Sequence, residues 1–199
     1  MKPVRLAILG LGTVGGGALK LLQENAAEIK RRTGREIQIT HVGTRRPRPD
    51  LNLEGIQQND DLMHIVRQPD VDVVVEVMGG IHPAYEVIME AIKHGKQVVT
   101  ANKALLAEHG NELFKAAEDN AVQIAYEAAV AGGIPIIKVI REGLAANHIQ
   151  WLAGIINGTG NFILTEMREK GRAFEDVLKE AQELGYAEAD PTFDVEGID

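Results

Sequence analysis

The sequence predicts an α/β fold in which a doubly wound parallel sheet is followed by part of an α+β domain. Short apolar strands alternate with amphipathic helices over about the first 130 residues, which is typical of βαβ units. A glycine-rich turn follows the first strand directly, and the pattern changes after about Gly133. We therefore expect two domains, residues 1–133 with the parallel sheet and residues 134–199 with the beginning of a second domain.

The expected elements of the first domain follow from the spacing of apolar residues. The β-branched run Val71–Val77 is nearly unbroken, which is typical of a strand buried on both faces. Apolar residues recur at helical spacing from Val14 to Ile29 and predict the first helix. The other expected strands cover residues 4–9, 37–42, 97–100 and 122–126, and the other helices cover residues 60–67, 82–94 and 104–117.

The second part of the sequence has a different pattern. We predict a helix over residues 134–145, with Pro135 near its first turn, where a missing N–H is tolerated. A strand is expected over residues 150–156, and two amphipathic helices are expected over residues 159–170 and 174–184. The final stretch is acidic and irregular and contains no element that closes a domain, so we expect that the second domain is truncated.

The composition excludes several classes of protein. The chain has 199 residues, with 21 Lys and Arg against 29 Asp and Glu, and its net charge of −8 argues against binding to nucleic acid or to an anionic membrane. The absence of cysteine excludes disulfides, thiolate catalysis and Cys-ligated metal centres. No apolar run has the length of a membrane span or a signal peptide, so a soluble, cytoplasmic protein is expected.

The turn after the first strand carries a G-x-G-x-x-G motif and opens a helix, which is the context that this motif requires. Gly10 permits a tight turn, Gly12 lets the backbone approach a pyrophosphate, and Gly15 lets the helix pack against the strand. The helix N-terminus presents free N–H groups and a partial positive charge to phosphates. These features predict a dinucleotide-binding domain of the Rossmann type.

The end of the second strand indicates which dinucleotide is bound. An NAD site usually has an Asp or Glu there, which bonds to the ribose 2′-hydroxyl. This sequence has Gly43, Thr44, Arg45 and Arg46 instead. Arg45 or Arg46 can pair with a 2′-phosphate, because the planar guanidinium binds phosphate oxygens bidentately. NADP is therefore favoured as the cofactor and NAD remains open; a solvated basic loop is the simpler alternative.

Two further strands end in segments with candidate functional residues. Gly79 and Gly80 follow the buried strand and let the chain turn close beside a cofactor. Lys103 follows the next strand, at the start of a helix. A cation at this point opposes the helix dipole, which favours a functional role for Lys103 over a purely structural one.

Three later segments each allow two interpretations. The loop 126–135 is suited to binding a cation through oxygens or simply to crossing between domains, and its residue types alone favour the crossover. In the loop 154–161, Asn157, Thr159 and Asn161 offer polar groups for a small ligand, and Gly158 and Thr159 are expected to contact the substrate, although Thr159 is equally suited to capping a helix. The acidic residues of the last segment form either a solvated loop or a pocket for a substrate ammonium; they are Glu188, Asp190, Asp194, Glu196 and Asp199.

Six segments, taken together and in this order, closely resemble homoserine dehydrogenases. They are GLGTVG at 10–15, EVMGG at 76–80, TANKALLA at 100–107, EAAVAGGIP at 127–135, GIINGTGNFIL at 154–164 and GYAEADPTFDVEGID at 185–199. They extend over essentially the whole chain, and the last three are more specific than the glycine motif. The family reversibly reduces aspartate 4-semialdehyde to homoserine with NADPH or NADH, on the route to threonine, isoleucine and methionine. The resemblance implies a Rossmann domain followed by a substrate and dimerisation domain.

The resemblance also assigns roles to residues at matching positions. Gly12, Thr13 and Val14 would contact the cofactor phosphates, and Arg45 would favour the 2′-phosphate of NADP. Lys103 matches a family lysine near the substrate and the nicotinamide, and we expect it to be catalytic. Substrate and cation contacts would come from a carboxylate that binds the substrate amine, Glu188, from Asp194 and Asp199 beside it, and from the backbone carbonyls of a sodium site at Glu127, Val130, Gly132 and Ile134.

The sequence departs from the family pattern at one point, and it leaves two rival hypotheses about function. In the family a second lysine, a favoured proton donor, lies four residues beyond the position of Asp199, where this sequence ends. A binding module or nucleotide sensor that holds NADP without catalysis is one rival, but it would not need the polar loop or the acidic cluster. A reductase acting on aspartate or dihydrodipicolinate is the other, and the segments TANKALLA at 100–107 and EADPTFDVEGID at 188–199 argue against it. The family is commonly a homodimer.

Overall fold

The computed structural model describes residues 2–187, 191–192 and 196. The chain divides into two compact units, Met1–Ala145 and Ala146–Asp199. No helix in these described ranges is both long and apolar enough to cross a membrane.

The first unit is built on a six-stranded sheet with the order β3-β2-β1-β4-β5-β6. Every neighbouring pair of strands is parallel. The strand order reverses between β1 and β4, as in a doubly wound fold, so the predicted fold class is confirmed. The strands are β1 Val4–Leu9, β2 Ile37–Gly43, β3 Gln57–Asn59, β4 Val73–Glu76, β5 Gln97–Thr100 and β6 Ile124–Ala125. The short edge strand β3 carries no apolar pattern and was not predicted.

The helices of the first unit connect these strands. They are α1 Thr13–Glu24, α2 Ala26–Thr33, α3 Leu62–Val66, α4 Ala84–Lys93, α5 Lys103–Asp119, α6 Glu127–Val130 and α7 Ile136–Lys138. The predicted first helix is two helices, separated at Asn25. The helix predicted over residues 134–145 is only the short α7 followed by a π-helical turn, Val139–Gly143.

The buried face of α1 differs from the one that its apolar spacing suggests. Gly15, Gly16 and Leu19 are buried, whereas Val14 and Leu21 are each 57% exposed. Gly15 brings the start of the helix close to the sheet, and Leu19, one turn later, is the large side chain of this contact.

The sheet is covered on both faces by apolar side chains. Alternate residues of β1 point to opposite sides: Ala7 and Leu9 join one buried cluster, and Leu6 and Ile8 join the other. Helices α3, α4 and α5 contribute to the first cluster, and Leu19 of α1 contributes to the second. A sheet buried on both faces holds its strand ends in fixed positions.

Polar side chains tie the strands together at the amino ends of β1, β4 and β5. The side chain of Arg5 donates two hydrogen bonds to the carboxylate of Asp72, at 3.1 and 2.8 Å. These bonds lower the pKa of Asp72 below its usual range. The buried Lys96 donates from Nζ to the carbonyl oxygens of Gln68 and Val71, each at 2.7 Å, and burial lowers its pKa.

The second unit contains the two amphipathic helices that the sequence predicts, α8 Gly158–Lys170 and α9 Phe174–Glu183. They pack through a small core that contains Ile163, Val177 and Ala181. The strand predicted over residues 150–156 is wrong, because no strand is formed there, and Trp151 and Ile156 are 80% and 90% exposed. A strand is stable only when a neighbouring strand accepts its hydrogen bonds, and the described part of this unit offers none.

Candidate functional site

A cavity of about 680 Å³ opens at the carboxyl ends of β1, β2 and β4. A second cavity of about 260 Å³ opens at the ends of β4 and β5, and the two share Val77, Met78 and Gly79 in their walls. Together they lie where the strand order reverses, which is the place where open α/β sheets bind ligands. The first cavity is lined by Gly10, Leu11, Gly12, Gly43, Thr44, Arg45, Arg46, Arg48, Asp60, Leu62, Val77, Met78, Gly79, His82 and Pro83.

The three motif glycines occupy three different environments. Gly10 has a φ of +95°, and a Cβ there would lie 2.9 Å from the carbonyl oxygen of Val77. A Cβ on Gly15 would lie 1.8 Å from the carbonyl oxygen of Gly10, so only glycine allows α1 to start so close to β1. A Cβ on Gly12 would meet nothing within 4 Å, and the space beside it is open to a ligand. The tight turn and the close helix packing expected of the motif are both present.

The first turn of α1 is suited to an anion. Its N-cap residue is Gly12, so no side chain caps the helix, and the first turn contains no acidic residue. The N–H groups and the positive end of the helix dipole therefore lie beside Gly12, which lines the first cavity, and Val14, which lines the second. Phosphate oxygens fit this donor set.

Arginines form the wall of the cavity at the end of β2. Arg45 and Arg46 both line it, as the sequence predicts. Arg48 lines it as well and was missed: its guanidinium donates to Asp50 at 2.8 and 2.7 Å and to the carbonyl oxygen of Gly12 at 3.4 Å. The pairing with Arg48 lowers the pKa of Asp50 to about 2. The dense run of arginines in this loop was the available signal for Arg48.

A chain of buried hydrogen bonds joins the ends of β4 and β5. The carboxylate of Glu76 accepts from the backbone N–H of Met78 at 2.8 Å and from the hydroxyl of Thr100 at 2.7 Å. Thr100 accepts from the N–H of Asn102 at 3.0 Å, and the Asn102 amide donates to the carbonyl oxygen of Gly80 at 2.5 Å. This network was missed by sequence reasoning, although a lone Glu closing a β-branched run was a usable signal.

The predicted residues around this network fall at the same ends of the sheet. Gly79 and Gly80 both have positive φ, of +75° and +74°, and Gly79 lines both cavities. Lys103 is the first residue of α5 and is exposed, while Asn102 caps that helix by accepting from the N–H of Leu105 at 3.1 Å. Lys103 is therefore placed at the carboxyl end of β5 by the helix cap before it.

The loop that carries the proposed sodium ligands lies at the end of the first unit. The side chain of Glu127 accepts from the N–H groups of Ile137 and Lys138 at 2.7 and 3.0 Å. The carbonyl oxygens of Glu127 and Ile134 each accept one backbone hydrogen bond. Val130 and Ile134 are exposed, and Gly132 lies between them. Within the described ranges, no cluster of three or more His, Cys, Asp or Glu side chains is suited to a metal ion.

The polar loop of the second unit is organised around the start of α8. Asn157 caps this helix by accepting from the N–H of Gly160, so the interpretation of Thr159 as the cap is wrong. Thr159 is the second helical residue, after Gly158, and its hydroxyl donates to the carbonyl oxygen of Tyr186 at 2.6 Å. The acidic residues Glu188, Asp190, Asp194 and Asp199 lie outside the described residues.

Comparison with known proteins matches both parts of the chain to one family. A family model described as "Homoserine dehydrogenase, NAD binding domain" matches residues 10–127, and one described as "Homoserine dehydrogenase" matches residues 135–199. A curated homoserine dehydrogenase from Pseudomonas aeruginosa is 61% identical over 100% of this chain and 46% of its own length. One from Bacillus subtilis is 43% identical, over 100% of this chain and 46% of its own length.

Solved structures show the same relationship. A homoserine dehydrogenase from Thiobacillus denitrificans has a TM-score of 0.90 and 59% identity, covering 100% of this chain and 46% of its own. A hyperthermophilic archaeal homoserine dehydrogenase in complex with NADPH has a TM-score of 0.83 and 30% identity, covering 100% of this chain and 66% of its own. The chain spans about half the length of the curated relatives it matches. On its sequence and on the order of its strands and loops, the chain belongs to the homoserine dehydrogenase family.

Proposed function

We propose that this chain forms the cofactor-binding half and the beginning of the substrate-binding half of an enzyme that interconverts aspartate 4-semialdehyde and homoserine with NADPH. The observation that carries the proposal is the pair of adjoining cavities at the switch point of the sheet, with the glycine loop in the wall of the larger one. The matched family models extend over both parts of the chain, which favours an enzyme over a nucleotide sensor.

The preference for NADP over NAD is part of the proposal. Thr44, Arg45 and Arg46 follow β2 at the cavity wall, where an NAD-binding domain usually has a carboxylate for the ribose 2′-hydroxyl. A guanidinium there stabilises a 2′-phosphate by charge-assisted hydrogen bonds, each worth roughly 1.5–3 kcal/mol. We assign this contact to Arg45, with Arg46 beside it.

The experiment that tests the cofactor assignment compares NADPH and NADH binding to the protein and to R45A by nicotinamide fluorescence. R45A should bind NADPH at least about tenfold more weakly and NADH unchanged, because NADH has no 2′-phosphate. R32A is the matched control: Arg32 is an exposed arginine of α2 that pairs with Glu28, away from the cavity, and its removal should change neither affinity. Equal loss of NADPH and NADH affinity in R45A would overturn the assignment.

The proposed chemistry divides between cofactor and protein. The nicotinamide supplies the hydride that the aldehyde carbon accepts. Lys103, at the carboxyl end of β5, is suited to place positive charge where an alkoxide develops.

Glu188, with Asp194 and Asp199, is proposed to bind the substrate ammonium, and the loop of Gly158 and Thr159 to bind the rest of the substrate. In E188A, KM for homoserine should rise with NADPH affinity unchanged; unaltered KM would contradict this role.

A monovalent cation and a homodimer complete the proposal. The backbone carbonyls of Glu127, Val130, Gly132 and Ile134 are proposed sodium ligands, since hard cations bind carbonyl oxygens and each such oxygen has two lone pairs. A Tm that rises with sodium chloride, but not with a large organic cation at equal ionic strength, would support this site.

Exposed apolar residues of the second unit, among them Trp151 and Ile156, favour self-association, which sedimentation velocity would detect as a dimer.

A further inference from the structure

The end of β4 carries a buried acidic group that the proposed chemistry does not use. Glu76 has no solvent exposure, although acidic side chains are almost never fully buried unless they are paired. Its two oxygens accept hydrogen bonds from neutral groups, the N–H of Met78 at 2.8 Å and the hydroxyl of Thr100 at 2.7 Å. A glutamine would fit the same space and would accept from Met78, but its amide nitrogen could not accept from the hydroxyl of Thr100. A carboxylate that accepts at both oxygens therefore differs from a glutamine in its second acceptor and in its negative charge.

The carboxylate lies directly behind the wall of the smaller cavity. Met78, which donates to one carboxylate oxygen, lines this cavity, and so does Asn102, whose N–H donates to Thr100. Glu76 is thus separated from the cavity by one layer of hydrogen-bonded residues. A charge in such a poorly solvated position is screened little by water or salt.

The order of the strands indicates which half of a dinucleotide would occupy that cavity. The arginines stand at the end of β2 and the glycine loop stands at the end of β1. A dinucleotide with its phosphorylated ribose at the arginines and its pyrophosphate at the glycine loop must continue toward β4 and β5. The nicotinamide half is then the one beside Met78, Ala101 and Asn102.

We propose that Glu76 acts on the bound nicotinamide as a fixed negative charge, favouring the positively charged oxidised ring over the neutral reduced ring. This inference rests on the proposed function, because it requires that a nicotinamide dinucleotide binds. Glu76 does not touch the ring; it acts through space and holds Met78 and Thr100 in place. The expected consequence is a ratio of NADP⁺ to NADPH affinity that depends on the charge at position 76.

The test measures the dissociation constants of NADP⁺ and NADPH at equilibrium for the protein and for E76Q, by calorimetry and fluorescence. The ratio of the NADP⁺ constant to the NADPH constant should rise about tenfold in E76Q, since one charge at close range is removed. This corresponds to a rise of about 30 mV in the midpoint potential of the bound couple. An unchanged ratio in folded E76Q would overturn the inference.

Two further variants separate charge from structure. E76D keeps the charge, so its ratio should stay within about twofold of the unsubstituted protein even if both affinities fall; a shift as large as in E76Q would overturn the inference. A purely structural role would weaken both nucleotides together and leave the ratio unchanged. If E76Q does not fold, the ratio in E76N is compared with that in E76D, which has the same length and keeps the charge, and the same rise is expected.

Failure of this inference and failure of the proposed function give different results. If the unsubstituted protein binds neither nucleotide, the proposed function is wrong and the inference falls with it. If it binds both nucleotides and the ratio is the same in E76Q, only the role of Glu76 is wrong.

Discussion

The two ends of the parallel sheet differ in that the amino ends hold polar groups paired within the protein, whereas at the carboxyl ends some polar groups also face a cavity. At the amino ends of the strands, Arg5 is bonded to Asp72, and the ammonium of Lys96 donates to two carbonyl oxygens. At the carboxyl ends, Arg45 and Arg46 line a cavity, and the first turn of α1 has no side-chain cap. Polar groups that are paired within the protein stabilise it, whereas donors that face a cavity are available to a ligand. The contrast locates function at one end of the sheet without reference to any relative.

The largest expected effect tests whether the carboxyl end depends on glycine. In G15A the new Cβ would overlap the carbonyl oxygen of Gly10, so unfolding free energy should fall by about 3 kcal/mol and NADPH binding should be lost. G12A is the matched control, because its Cβ meets no protein atom within 4 Å and stability should change by less than about 0.5 kcal/mol. G12A should still weaken NADPH binding, since the methyl group enters the open space. Urea unfolding measures the stability of the two variants, and fluorescence titration measures their NADPH affinity. A stable G15A that binds NADPH would contradict the claim that only glycine fits at position 15.

A second substitution tests whether an exposed cation at the carboxyl end is functional. In a full-length version of the enzyme, K103A should lower kcat for homoserine oxidation about 100-fold, or about 2.7 kcal/mol in activation free energy, with little change in Tm. K115A is the control, because Lys115 is an exposed lysine of the same helix that pairs with Asp119. Steady-state kinetics in which K103A and K115A behave alike would remove Lys103 from the mechanism.

The smallest effect is expected at the amino end of the sheet, and it should depend on pH. Arg5 lowers the pKa of Asp72, so the carboxylate stabilises the fold above the unfolded pKa of about 4 and loses this contribution as pH falls through the lower folded value. D72N should therefore cost about 1 kcal/mol at neutral pH and progressively less below about pH 4, with NADPH affinity unchanged. D119N, at an exposed surface pair, should cost less than D72N at neutral pH. Unfolding curves across this range measure the difference; a cost in D72N that is independent of pH would contradict it.

The sequence predicted well those elements whose apolar residues also find a partner in the sheet. Residues 71–77 and 150–156 are both rich in apolar and β-branched residues, yet only the first contains a strand. The core of β4 lies between β1 and β5, which supply its hydrogen bonds, whereas the second segment has no neighbouring strand in the described part of its unit. Composition indicates that a segment can be a strand; a partner, which a local pattern does not encode, decides whether it is one.

The sequence predicted those site residues whose structural role only one residue type can fill. Gly10 and Gly15 were identified because a tight turn and a close helix approach exclude every side chain. Arg48 and Glu76 were missed because their importance depends on contacts between distant segments: Arg48 reaches Gly12, and Glu76 bonds Thr100. Such contacts exist only after the strands are placed side by side, so no local spacing reveals them.

The glycine cap of α1 has a consequence for how this helix behaves when no anion is present. The amide protons of its first turn have no side-chain acceptor, so they should exchange with solvent faster than those of the buried strands. An anion that accepts from these amides completes the helix, and part of its binding energy then appears as local ordering. Hydrogen–deuterium exchange should therefore slow at Thr13 and Val14 when NADPH is added. Bound NADPH would therefore supply the hydrogen-bond acceptors that the first turn of α1 lacks within the protein.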